Sequence, residues 1–246
     1  MNDAVYTPTR RNFFTISGAA LIAATMPRIA AAQPAAGKVK IGVIGAGNIG
    51  GTIGGLWVKA GHPVLFSSRH PEELKSLVEG LGPLAKAGTV AQALDFGDVI
   101  LVAVPYKAIP DLAKDYGPKF AGKVVIDPAN AVARRDGEEL LAETKAKGIG
   151  VTTGAYLKGA RVVRAFNSMS YTHFVQQAHR SGERMAIPMA GDDPQAVAIA
   201  SQLVRDAGFD PVVVPLQRAQ EFAQGGPIYG QQLTAKQLRE RFGLGQ

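Results

Sequence analysis

Cysteine is absent from this chain of 246 residues. Disulfides, cysteine-ligated iron–sulfur clusters and thiol chemistry are therefore excluded. Histidine is scarce as well: the four are His62, His70, His173 and His179, without metal-ligand spacing, so no metal site is expected. Aromatic and basic residues do not interleave, and the net charge of +7 contains no long basic run. Nucleic acid is accordingly not an expected partner. The longest apolar run falls short of the roughly 20 residues a membrane span requires, so no stable span is expected in the mature chain. What remains is a chain with 46% hydrophobic residues, enough for a substantial core.

The clearest pattern is Lys38 to Arg69. Val39, Ile41, Val43 and Ile44 are a β-branched run, the mark of a buried parallel strand. Gly45, Gly47 and Gly50 follow with the spacing G-x-G-x-x-G. The first glycine suits a tight turn, the second a close approach of backbone to a pyrophosphate, and the third helix–strand packing. A helix is predicted over Ile49–Ala60, stopped by Gly61, and a second strand over Pro63–Ser67. Strand, glycine turn, helix and strand together predict a dinucleotide site at a helix N-terminus. An NAD site places an acid about 20 residues on, for the ribose hydroxyls. Here Arg69 stands 19 residues after Gly50, behind Phe66-Ser67-Ser68. A hydroxyl and a guanidinium suit a 2′-phosphate, which predicts NADP(H).

Residues 1–32 are set apart from the fold. Arg10-Arg11-Asn12-Phe13-Phe14 precedes an apolar stretch from Ile16 to Met26 and then Ala30-Ala31-Ala32. This charged, apolar, small-residue order reads as a secretory signal cleaved after Ala32. The paired arginines resemble a twin-arginine (Tat) signal, which makes the Tat machinery a partner and the periplasm the expected location, or the cytoplasm if the signal is not used.

Further on, Pro71 opens a helix carrying Leu74, Leu77, Val78 and Leu81, and a short strand is expected near Thr89–Ala91. Asp98–Pro105 is a central strand whose end, Val104-Pro105-Tyr106-Lys107, should reach the cofactor cleft. Tyr106 and Lys107 either touch ligand there or begin the next helix. Lys123–Asn130 and Ala160–Asn167 are two more buried strands. Phe166 either flanks a nicotinamide or fills core, and Asn167 either bonds a carboxamide or caps a turn. Ala186–Ala190 and Pro211–Pro215 are short strands around a helix capped by Asp193. Thr234 and Gln237 form a capping box before Leu238 and Phe242. The sum is an α/β chain: a Rossmann-like, doubly wound, mostly parallel sheet with helices on both faces over residues 38–216, and a short C-terminal extension over 217–246.

IGVIGAGNIG, FSSRHPEEL, VAVPY, IDPAN, VVRAFNSM, AGDDP and GFDPVVV occur in this order. The ordered set resembles the coenzyme F420-dependent NADP oxidoreductase family, over about Lys38 to Leu216, and a module of the same kind occurs in the cytosolic domain of the Steap metalloreductases. The resemblance implies hydride exchange between NADP(H) and coenzyme F420 or a flavin. It implies that Ala46, Gly47, Asn48 and Ile49 wrap the pyrophosphate, beside the motif glycines Gly45 and Gly50, and that Ser68 and Arg69 bind the 2′-phosphate. Pro105, next to Val104 at the strand end, and the Phe166–Asn167 region would line the nicotinamide side. The family often carries another basic residue just after the arginine; here His70-Pro71-Glu72-Glu73 stands there. Hydride transfer asks little acid–base chemistry of a protein, and no catalytic acid or base is assigned. No tyrosine–lysine pair suits the alternative dehydrogenase chemistry: the residues four after Tyr106, Tyr116 and Tyr156 are Pro110, Phe120 and Ala160. A non-catalytic NADP(H)-binding or sensor protein and a reductase of another small substrate are the alternative functions, and a homodimer is among the expected assemblies.

Overall fold

The computed structural model describes residues 37–245; the expected signal segment lies outside them. These residues form one compact unit. Its centre is an eight-stranded sheet in the order β3-β2-β1-β4-β5-β6-β7-β8. The strands are β1 (Ile41–Ile44), β2 (Val64–Ser67), β3 (Ala85–Gly88), β4 (Val99–Val102), β5 (Val124–Asp127), β6 (Arg161–Arg164), β7 (Ala186–Ala190) and β8 (Asp210–Val214). The first six run parallel; β7 meets β6 antiparallel through Arg164 and Ala190, and β8 runs parallel to β7. This is a Rossmann-like, doubly wound α/β fold. The chain moves outward from β1 to β3, then returns to place β4 on the other side of β1. The cleft therefore opens at the carboxyl ends of β1 and β4.

Both faces of the sheet are covered, which is why β1, β2, β4 and β5 are buried along their full lengths. On one face, α1 (Asn48–Lys59) and α9 (Pro194–Asp206) pack over Ile41, Val43, Phe66 and Leu101. Trp57 of α1 is fully buried; its indole Nε1 donates to Leu203 O at 2.8 Å, and its ring lies edge-on to Phe166 at 6.0 Å. On the other face, α4 (Ile109–Phe120), α7 (Ile149–Tyr156) and α10 (Ala235–Arg241) cover Ile44, Ile100, Val102 and Val125. The capping box of Thr234 and Gln237 forms as expected, and so does the Asp193 cap on Ala196 N–H at 2.7 Å.

Two local expectations are corrected. The strand expected near Thr89–Ala91 lies earlier, at Ala85–Gly88. Thr89 instead caps α3 (Val90–Phe96), because its side chain and Gln92 satisfy each other's backbone N–H groups. The helix expected from Pro71 is divided into a 3₁₀ turn, Pro71–Leu74, and α2 (Lys75–Leu81). Its apolar residues are only partly buried against the core.

Candidate functional site

The glycine turn has the geometry its spacing predicts. Gly45 has φ +93°, and a Cβ there would stand 2.4 Å from Ala103 O. A Cβ on Gly50 would stand 2.0 Å from Gly45 O, so helix and turn touch backbone to backbone. Gly47 differs: an added Cβ would have nothing within 4 Å. It faces open space at the head of α1. The first bond of that helix runs from Gly51 N–H to Gly47 O at 2.7 Å. The N–H groups of the opening turn therefore lack helical acceptors. No side chain caps them and no acid sits in the first turn. Such an end is suited to an anion. The N–H groups of Gly45 and Ala46 instead donate to Ser67 O, each at 3.2 Å, and tie the turn to the end of β2.

Around this turn lies a cavity of about 760 Å³ that brings together Gly45, Ala46, Gly47, Ser68 and Arg69. Ser67 Oγ donates to Val43 O at 2.9 Å and fixes the corner from which Ser68 and Arg69 project. Arg69 is exposed, while the nearby acid Glu72 lies 3.4 Å from His70. Glu73, Lys107, Asp111, Asp115 and Tyr116 are among the other residues of the wall; of these only Lys107 is a ligand-contact candidate in the sequence. A dinucleotide fits this set: the turn supplies close backbone approach and free donors, and the corner supplies a cation.

The strip Ala103-Val104-Pro105 also borders a second cavity, of about 370 Å³. Asn48, Ile49, Phe166 and Asn167 line it, with Asn130, Arg135, Tyr171, Gln224 and Tyr229. Gly50 lines neither cavity; it supports the turn. Phe166 has φ +60° and a fully buried ring packed against Trp57, Phe174 and Phe209. That left-handed turn sends the ring into the core and Asn167 to the cleft. Asn167 is 2% exposed, and its Oδ1 has no hydrogen-bond partner among the described residues. Asn130 Nδ2 donates to Asn167 O at 2.7 Å, and Asn130 Oδ1 accepts from Gln224 N–H at 3.3 Å. Gln224 and Tyr229 come from the C-terminal loop, which Gly230 N–H pins to Ser168 O at 2.7 Å. Their loop is visible in the sequence as a glycine-containing segment, but nothing local says where it docks.

Tyr106 does not line the cleft. It is fully buried, and its hydroxyl donates to Ile149 O at 3.2 Å and lies 3.0 Å from Thr153 Oγ1. Burial, with the Asp127 carboxylate second, pushes its phenol well above the ordinary tyrosine range. Lys107 does reach the first cavity. At the rim, Asp136 accepts from Val132 N–H at 2.8 Å, Lys107 N–H at 3.2 Å and the Arg135 guanidinium. Burial alone would raise its carboxyl; these donors outweigh burial and hold it below its usual value. Among the described residues no group of three or more His, Asp or Glu could hold a metal, and no helix is long and apolar enough to cross a membrane.

The family model described as NADP oxidoreductase, coenzyme F420-dependent, matches residues 40–131. The metalloreductase STEAP3 of Rattus norvegicus is 27% identical over 182 residues, covering 70% of this chain and 33% of that protein. The chain thus spans about a third of the length of that curated relative. A hypothetical protein from Sinorhizobium meliloti has a solved structure with TM-score 0.71 and 24% identity, over 80% of this chain and 96% of that one. A candidate F420-dependent NADP-reductase from Arthrobacter sp. gives TM-score 0.66 and 21% identity, over 84% and 96%. The solved structures share this chain's fold, and the family model overlaps the glycine turn, the Ser68–Arg69 corner, Pro105 and Asn130.

Proposed function

We propose that this chain is a member of the F420-dependent NADP oxidoreductase family, and that it transfers hydride between NADP(H) and a flavin or deazaflavin. The observation that carries the reading is the uncapped head of α1, open at Gly47, in one cavity with exposed Arg69. The adenosine half of the nucleotide would occupy that cavity. The chain of contacts then crosses Ala103–Pro105 into the second cavity, where the side-chain amide of Asn167 would meet the nicotinamide carboxamide. Bound nicotinamide supplies the hydride. The residues position it and keep water away.

Among the described residues, Arg135, Tyr171 and Tyr229 are the ionisable groups on the walls of the second cavity. Flavin-like rings take hydride with little help from a protein acid, whereas a carbonyl or imine would have to draw its proton from one of those tyrosines. The test is loss of reduced-nicotinamide absorbance on mixing the protein with NADPH and FMN, FAD or a deazaflavin. Turnover with at least one is expected. Tight NADPH binding without turnover would leave the binding or sensor reading, and no binding at all would overturn the proposal. From the sequence alone we also propose Tat-dependent export of the folded chain, for which an intact mass beginning at Gln33 is the check.

A further inference from the structure

Beneath the second cavity lies a buried polar cluster to which hydride transfer assigns no role. Asp127 and Arg164, at the ends of neighbouring strands β5 and β6, are both fully buried and joined Oδ2 to Nη1 at 2.5 Å. Asp127 also accepts from Thr153 Oγ1 at 2.7 Å and, through Oδ1, from Ala129 N–H at 2.8 Å. Arg164 is less well served: its Nε and Nη2 have no partner among the described residues. Gly150 of α7 lies close over its stem, where a Cβ would stand 3.3 Å from Arg164 Cγ. Two charges taken fully out of water, with donors left unpaired, are poor value for stability compared with an apolar pair. Their presence calls for another explanation.

The bond from Ala129 N–H provides one. We infer that Asp127 is a positioning residue for the nicotinamide side of the cleft, with Arg164 as its buried counter-ion. Oδ1 of Asp127 folds the next two residues back on themselves and so sets the direction of Pro128, Ala129 and Asn130, all of which line the second cavity. Asn130 then joins the loop after β6, through Asn167 O, to the C-terminal loop, through Gln224 N–H. Thr153 and Tyr106 extend the same cluster to the residue after Pro105. Four segments around the cleft floor are thus linked to one carboxylate.

The inference rests on the second cavity being the nicotinamide side, and its test separates the two ideas. Affinities of the full chain for NADP⁺ and for 2′-phospho-ADP-ribose, which lacks nicotinamide, are compared by calorimetry. Their ratio reads the nicotinamide contribution without any turnover. Two uncharged double variants are used. Asp127→Asn with Arg164→Met keeps an oxygen for Ala129 N–H; Asp127→Leu with Arg164→Met removes it. The first should keep the wild-type ratio within about twofold, and the second should lower it about tenfold, the value of one good hydrogen bond network member. Binding of 2′-phospho-ADP-ribose should stay within about twofold in both, since the glycine turn is untouched. Equal loss in the two variants, or no loss in the second, overturns the positioning role. A second variant that no longer binds 2′-phospho-ADP-ribose overturns it too, because the damage would then be general. A wild-type ratio of one would instead sink the parent reading of the cavity.

Discussion

The two cavities on either side of Ala103–Pro105 are built in different ways. About half of the first comes from one stretch, Ile44 to Leu74, and the rest from Val90, the Ala103–Ala108 segment and α4. Backbone does most of its work, through a turn that only glycine allows and a helix end without a cap. The second is assembled from strand ends and a C-terminal loop spread over Asn48 to Tyr229. Side-chain amides hold it together, and a buried ion pair lies under it. The glycine turn and the cationic corner of the first come from β1, α1 and β2 alone, although its far wall comes from later in the chain. The second needs the ends of β4, β5 and β6 and the C-terminal loop brought together, so small changes at a distance can disturb it.

The largest effect should come from filling the open space at Gly47. Its φ of −74° suits any residue. Gly47→Leu should leave the melting temperature nearly unchanged but weaken NADPH binding by about 100-fold or more, as the side chain takes the pyrophosphate's place. A variant that binds normally would separate the turn from nucleotide binding. Next comes Arg69→Ala. Loss of a charge-assisted contact is worth about 1.5–3 kcal/mol, so NADPH affinity should fall roughly 10- to 100-fold. NADH affinity should barely move, and a titration with both nucleotides decides it.

On the other side, Asn167→Ala should lower the rate of hydride transfer about tenfold. Binding of 2′-phospho-ADP-ribose should be unaltered, a difference read by stopped-flow against calorimetry. Tyr106→Phe tests the boundary between site and core. Stability in urea should drop by about 1 kcal/mol as its hydroxyl loses Ile149 and Thr153, while nucleotide binding stays as it was. Asp136 gives the smallest effect. Its folded pKa lies below the ordinary 3.8, so its contribution is complete above that value and is lost as pH falls through the lower, folded one. Faster exchange of the Val132 amide below about pH 4 is the expected sign.

The same contrast explains what the sequence reveals. G-x-G-x-x-G, the following helix and Arg69 lie within one stretch, so spacing and chemistry declare the first cavity. The parallel strands are equally plain, because continuous apolar runs such as Val99–Val102 admit little else. Thr89 was harder: its capping box is short and sits directly after a strand of Ala85-Lys86-Ala87-Gly88, which has no apolar run to mark it. Tyr106 misleads for a different reason. It follows Pro105 at a strand end that faces ligand, but the 3₁₀ turn Tyr106–Ala108 rotates its ring inward to Thr153, 47 positions away. Gln224 and Tyr229 owe their place to docking of the C-terminal loop on Asn130 and Ser168, which no local pattern encodes.

Trp57 is the chain's single tryptophan, and it stands edge-on to Phe166, whose neighbour Asn167 enters the second cavity. The protein thereby carries its own optical probe. Indole emission overlaps the absorption band of reduced nicotinamide, so filling of the cleft should dim the tryptophan signal by energy transfer, with no dye attached and no residue changed.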